Sequence, residues 1–128
     1  MRIDHIQLAM PVGHEDKARA FFVDVVGMFE EPKPESLQAR GGCWFRQGAC
    51  SVHLGVEDDF RPQRKAHPAF AVSDLQRLAR TLTSAGHDVL WDDAIPGVSR
   101  FYTSDPFGNR LEFLCPVEGT SHAGPDAG

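Results

Sequence analysis

The sequence lacks long hydrophobic runs, an excess of positive charge and paired cysteines. No apolar stretch approaches the ~18 residues of a membrane span, so we expect no membrane partner. The net charge of −5, from 13 basic and 18 acidic residues, disfavours nucleic acid as a partner. Three cysteines without a C-x-x-C motif, and a start without a signal-peptide pattern, predict a cytoplasmic protein with no disulfide framework.

The 128 residues, enough for one domain with its own core, contain an internal repeat. Residues 5–10 (HIQLAM) return as residues 67–72 (HPAFAV), 62 positions later. Residues 51–56 (SVHLGV) return as residues 110–115 (RLEFLC), 59 positions later. Self-similarity at a nearly fixed spacing indicates that one structural unit occurs twice. The sequence therefore predicts two matching modules.

Each repeat has the same predicted order of strand, helix and three further strands, where the short strands 29–31 and 36–39 around the Pro32–Pro34 break count as one. The charged residues 57–66, which include Pro62, predict a linker, and residues 117–128 predict a disordered tail. The modules are then residues 1–56 and 67–116 of one structural domain. Strands are predicted at residues 3–10, 29–31, 36–39, 43–46, 50–56, 67–72, 87–91, 100–103 and 110–115, and helices at residues 14–26 and 74–85.

Four side chains that can bind metals fall in register between the two repeats. His5 matches His67, and His53 matches Glu112. Strand alternation places apolar neighbours on one face and each of these four side chains on the opposite face. Two His and one carboxylate form a ligand set suited to divalent Fe, Mn, Co, Ni or Zn with open coordination positions. A single His on a strand is more often structural, but the joint pattern favours a metal site.

Several segments resemble one known family. They are Asp4-His5-Ile6, the helical residues 20–27, His67 at the start of the second repeat, and residues 104–113 (SDPFGNRLEF) near the end. Together they resemble the vicinal oxygen chelate superfamily, also called the glyoxalase/bleomycin resistance/extradiol dioxygenase family. The resemblance covers about residues 1–116. It implies an α+β fold of two βαβββ modules forming an open half-barrel mixed sheet, with helices on the outer face.

The resemblance also implies a site. The family's metal ligands lie on the first and fourth strands of each module, which correspond to His5, His53, His67 and Glu112 here. Glyoxalase I enzymes usually have Glu at the position of His53, where it acts as ligand and base, so His53 is a departure that affects the expected reaction. We expect His53 and Glu112 to be catalytic and the protein to form a homodimer, with each site built within one chain or across two.

Four further residues are candidates for a substrate pocket. Arg46 and Arg100 either neutralise an anionic substrate or are solvated charges at the sheet edge. Trp44 and Tyr102 either line an apolar pocket or pack in the core. These alternatives stay open at the level of the sequence.

The expected function is that of a glyoxalase-like, divalent-metal-dependent enzyme which binds a small substrate through adjacent oxygens and stabilises an enolate or oxyanion. A lyase or isomerase reaction is the first expectation, and a dioxygenase reaction follows. The alternative is a metal-free protein of the bleomycin-resistance type that sequesters a drug or another small molecule.

Overall fold

The computed structural model describes residues 1–116, so the tail predicted at residues 117–128 lies outside the described residues. Each module forms a four-stranded mixed sheet of its own. In chain order the elements are β1 (Ile6–Met10), α1 (Glu15–Arg19) with a π-helical continuation (Ala20–Val25), β2 (Phe29–Glu31), α2 (Glu35–Gln38), β3 (Cys43–Gln47), β4 (Cys50–Val56), β5 (Ala69–Ala71), α3 (Leu75–Ser84), β6 (Leu90–Asp92), β7 (Val98–Ser104) and β8 (Arg110–Pro116).

The two sheets have the same topology. Their strand orders are β1-β4-β3-β2 and β5-β8-β7-β6, with β1–β4 and β5–β8 parallel and the other pairs antiparallel. This confirms the predicted α+β fold of two βαβββ modules with open sheets. Among residues 1–116 no helix has the length and apolar character required to span a membrane. The boundaries of the modules and of the linker stay predictions.

The core lies on the face of each sheet that the helices cover. Phe22 of the π-helical segment stacks on Phe45 of β3 with ring centroids 5.2 Å apart. In the second module Phe101 and Phe113 pack together, and Leu82 of α3 joins the same buried cluster. Because apolar residues from both modules enter one cluster, the modules share a single core.

The first helix differs from the expected regular α-helix. From Ala20 to Val25 it widens into a π-helix, and the N–H of Val26 donates to the carbonyl of Phe21, five residues earlier. The adjacent Phe21 and Phe22 are both buried there. The wider turn thus accommodates two neighbouring aromatic side chains on the core side, which the pattern of apolar residues did not reveal.

The strand predicted at residues 36–39 is wrong, because this segment forms the single helical turn α2. Pro34 has an extended ψ of 142°, and its carbonyl accepts the N–H of Leu37 at 2.8 Å, which closes the turn. Proline is well suited to the start of a helix because it lacks an N–H that would need a partner. The βαβββ order is unaffected, since β3 follows this turn.

All three cysteines are free, as the sequence predicted. Cys43 is buried in the core, and this burial raises the pKa of its thiol to about 11. Burial also raises the pKa of Cys50. Both thiols therefore stay protonated at neutral pH, and Cys43 behaves as a small apolar core residue.

Asn109, which is fully buried, ties three segments of the chain together. Its amide nitrogen donates to the carbonyl of Ala9 in β1 and to the carboxylate of Asp105, both at 2.8 Å. Its amide oxygen accepts the backbone N–H of Gln63 at 3.1 Å. One side chain thereby links the first module, residues 57–66 and the turn before β8. Burial raises the pKa of Asp105 in spite of the hydrogen bonds that it accepts.

We expect Asn109→Ala to lower the free energy of unfolding by about 2–3 kcal/mol, because it leaves buried backbone and carboxylate groups without partners. Urea denaturation followed by circular dichroism measures this change. The control is Gln76→Ala, which removes an exposed amide from α3 and should change stability by less than about 0.5 kcal/mol. Equal stability of the two variants would show that Asn109 does not hold the segments together.

Candidate metal centre

The same strand register brings two side chains of metal-ligand type together in each module. In the parallel pair β1–β4, Gln7 lies opposite His53, and His5 precedes Gln7 by two residues on the same face. In β5–β8, Ala69 lies opposite Glu112, and His67 precedes Ala69 by the same two residues. The two modules therefore place their candidate ligands in the same relative positions, as the repeat in the sequence predicts.

The first-module pair is a stack of rings. His5 and His53 have centroids 4.1 Å apart at an interplanar angle of 17°. Trp44, directly opposite His53 in the register of β3 and β4, stacks on His53 at 3.9 Å and 3°. His53 is therefore held by two neighbouring rings, which fix the plane of its imidazole.

Hydrogen bonding and burial shift the pKa values of Asp4 and His53, respectively. Nδ1 of His5 lies 3.0 Å from Oδ2 of Asp4, and this hydrogen bond lowers the pKa of Asp4. Burial, followed by the nearby charge of His5, lowers the pKa of His53. At neutral pH Asp4 is charged and His53 is neutral, so His53 has a lone pair free to accept a proton or bind a metal.

The second-module pair is a direct contact between an imidazole and a carboxylate. Nε2 of His67 lies 3.0 Å from Oε1 of Glu112, and Nδ1 of His67 lies 2.8 Å from the carbonyl oxygen of Lys65. A carbonyl only accepts hydrogen bonds, so Nδ1 carries the proton in the neutral ring. Nε2 therefore faces the Glu112 carboxylate, and the two atoms lie close enough to contact one cation.

Arg100 balances the charge of Glu112, which is buried. Its Nη1 donates to Oε2 of Glu112 at 3.4 Å, and its Nη2 donates to Oδ1 of Asp92 at 3.0 Å. The Arg100 side chain is only 13% exposed. A buried carboxylate requires such a partner, because an uncompensated charge inside a protein is costly.

The remaining candidates separate into surface, core and site residues. Arg46, on the inner strand β3, is exposed and forms an ion pair with Glu31. Tyr102 lies edge-on to His67 with centroids 5.4 Å apart, so it belongs to the second-module pair as Trp44 belongs to the first. Phe45 and Phe101, the chain neighbours of Trp44 and Tyr102, are buried in the core.

Sequence reasoning missed three residues beside the site. Asp4 orients His5, Asp92 holds Arg100, and Arg110 places its guanidinium carbon 3.9 Å from the centroid of the Tyr102 ring. The alternation of side chains along β8 could have indicated Arg110, because Arg110 lies two residues before Glu112 on the same face of the strand.

The four predicted ligands form two separate pairs in one chain. Within residues 1–116 no group of three or more His, Cys, Asp or Glu side chains could hold a metal ion. A two-His-one-carboxylate set therefore requires donors from both pairs to come together.

Known structures share this fold. A glyoxalase family protein from Bacillus anthracis is 51% identical, with a TM-score of 0.88, over 91% of this chain and 95% of the other. The chain belongs to the glyoxalase family of the vicinal oxygen chelate superfamily. No protein-family model and no curated protein matches the sequence.

More distant glyoxalase-like structures share the fold alone. A glyoxalase/dioxygenase from Nostoc punctiforme is 19% identical with a TM-score of 0.73, over 91% of this chain and 92% of the other. A mutant of the fosfomycin resistance protein FosX from Listeria monocytogenes is 16% identical with a TM-score of 0.74, over 91% and 93% of the two chains. That FosX structure is complexed with Mn(II) and 1S,2S-dihydroxypropylphosphonic acid.

The donor chemistry of this glyoxalase family member fits a divalent transition metal. His5 and His67 each direct Nδ1 to an oxygen, of Asp4 and of Lys65 respectively, which leaves Nε2 as the available nitrogen. Hydrogen bonding of the second ring nitrogen to an oxygen is typical of metal-binding imidazoles. In the second pair, Nε2 of His67 and Oε1 of Glu112 lie 3.0 Å apart, a separation at which both atoms could contact one cation.

The stack of Trp44 on His53 predicts a pH-dependent fluorescence signal. In a Trp91→Phe variant, which leaves Trp44 as the sole indole, we expect emission to fall on acidification because protonated imidazole quenches a stacked indole. The midpoint should lie below pH 6.5, the ordinary pKa of His, because the pKa of His53 is lowered. Adding His53→Gln should abolish the transition. A midpoint at or above pH 6.5 would contradict the burial of His53.

Proposed function

We propose that this protein is a divalent-metal-dependent enzyme of the glyoxalase/dioxygenase type, active as a homodimer. The first-module pair of one protomer would join the second-module pair of its partner to complete each metal site. The observation that carries the proposal is the presence of two preorganised donor pairs, His5 with His53 and His67 with Glu112, without a complete ligand set in the described part of one chain.

The outer strands of the two sheets and an apolar cavity beside them support association with a second copy. β1 and β5, which begin just after His5 and His67, are each the outer strand of their sheet. A mostly apolar cavity of about 340 Å³ lies beside both strands and includes Ile6, Phe70 and Phe113 in its lining. Unpaired edges and apolar surface of this kind are commonly covered in symmetric oligomers.

The site residues have distinct chemical roles in this proposal. His5, His67 and Glu112 would hold the metal, with His53 as a fourth ligand or as the proton carrier. A bound divalent cation supplies Lewis acidity, which lowers the energy of negative charge developing on adjacent substrate oxygens. His53 suits proton transfer because it is neutral and fixed by Trp44. A lyase or isomerase reaction, which needs a metal to stabilise the oxyanion and a base to move a proton, is the first candidate. A dioxygenase reaction is the second.

Elemental analysis of purified protein tests the metal site. We expect about one transition-metal ion per chain, and loss of most of it in His67→Ala or Glu112→Gln because each removes a donor. The matched control is His87→Ala, which removes a histidine that packs against Phe21 away from the donor pairs. Metal content equal to the parent in His5→Ala and Glu112→Gln would refute the assignment.

A mixed dimer tests whether the site spans two chains. We expect a heterodimer of one His5→Ala chain and one His67→Ala chain to keep one intact site, because one of its two composite sites then combines unchanged pairs. A site within one chain leaves both sites of this heterodimer defective. Metal content of the purified heterodimer distinguishes the two arrangements, and each homodimeric variant serves as the control.

A second candidate function is metal-free sequestration of an aromatic or drug-like molecule. The observation that favours it is the absence of a three-donor group within residues 1–116, together with aromatic faces at Trp44 and Tyr102. This function predicts ligand binding that a chelator does not change. Protein that stays metal-free after incubation with Fe, Mn, Co, Ni and Zn under reducing conditions would favour it over the enzyme.

A further inference from the structure

The arginines near the two donor pairs differ in whether a carboxylate neutralises them. Arg46 is paired with Glu31, and Arg100 is paired with both Asp92 and Glu112. Arg110 has no carboxylate partner among the described residues. Of these three arginines, Arg110 on the second sheet is therefore the one whose charge is available to an external anion.

The fold holds Arg110 in a defined position beside the second-module pair. Its guanidinium lies over the ring of Tyr102, and its Nη1 makes a long 3.5 Å contact with the carbonyl of Arg64. Tyr102 in turn lies edge-on to His67, and Glu112 follows Arg110 by two residues on the same face of β8. A stacked guanidinium keeps its N–H groups free to bind an anion while its position is fixed.

A cavity of about 510 Å³ opens at this position. Its lining includes two arginines, Arg64 and Arg110, one carboxylate, Asp88, and the hydroxyl-bearing Tyr102 and Ser104. Two positive charges against one negative charge give the lining a net positive charge in a protein whose overall charge is −5. Local charge opposite in sign to the overall charge marks this cavity out as a place where an anion would be attracted.

We infer that this cavity is an anion subsite, in which Arg110, supported by Arg64, binds the carboxylate, phosphonate or phosphate group of a small ligand. The planar guanidinium fork of Arg110 matches two oxygens of such a group. Tyr102 also contacts His67, which pairs with Glu112, so a ligand that reaches both places is an anion that also carries the reacting oxygens. This role as a substrate subsite rests on the proposed function, whereas anion binding itself does not.

Titration calorimetry of the full-length chain with inorganic phosphate at low ionic strength tests the subsite. The protein is treated with a chelator first, so that phosphate cannot bind through a metal. We expect Arg110→Gln to raise the Kd for phosphate about tenfold or more, because charge-assisted hydrogen bonds are lost. Arg110→Lys, which keeps the charge but not the fork, should raise it less. Arg77→Gln, which removes an exposed arginine of α3, should leave the Kd unchanged.

A parallel titration with acetate identifies the anion class. Tighter binding of phosphate indicates a tetrahedral anionic group, and tighter binding of acetate indicates a carboxylate; either supports the subsite if Arg110→Gln weakens it. No binding of either anion by the parent at millimolar concentration, or equal binding by Arg110→Gln, overturns the inference. Because the titrated protein is metal-free, failure of the proposed metal site would appear in the elemental analysis and leave this result unaffected.

Discussion

The register of the two parallel strand pairs is the constraint on which the rest of the site depends. It fixes His5 beside His53 and His67 beside Glu112, and it simultaneously sends the alternate residues of the same strands into the core. A slip of one residue would exchange the two faces, because side chains alternate along a strand. Burial of Val52, which is fully enclosed, therefore stabilises the same register that positions the donors.

Much of the fold was predictable because the sequence repeats and alternates. Matching segments indicated two modules, and apolar periodicity located α3 and the strands of both sheets to within a few residues. The π-helical segment and the turn α2 were not predictable in this way. The first depends on how Phe21 and Phe22 fit against the core, and the second on a local hydrogen bond to the carbonyl of Pro34. Both are outcomes of packing or backbone geometry that periodicity does not encode.

The placement of the candidate donors was predictable from the sequence, whereas the pairing of the nearby charges was less so. Repeat matching showed which side chains correspond between the modules. Strand alternation then placed the pair of His5 and the pair of His67 on the sheet face away from the core. Which arginine is neutralised could not be inferred, because that depends on contacts between strands. Arg46 and Arg100 were the candidates for anion recognition, yet pairing across the sheets joins both to carboxylates and leaves Arg110 without one.

The two donor pairs are preorganised by contacts within their own modules, and this has a consequence for assembly. Trp44 holds His53, and Lys65 and Arg100 hold the second pair, so neither pair needs the other in order to adopt its geometry. In the proposed dimer a second copy would only have to supply proximity, since orientation is already established in each chain. Loss of one donor should therefore abolish metal binding while leaving the fold intact, because the shared core lies on the opposite face of the sheets.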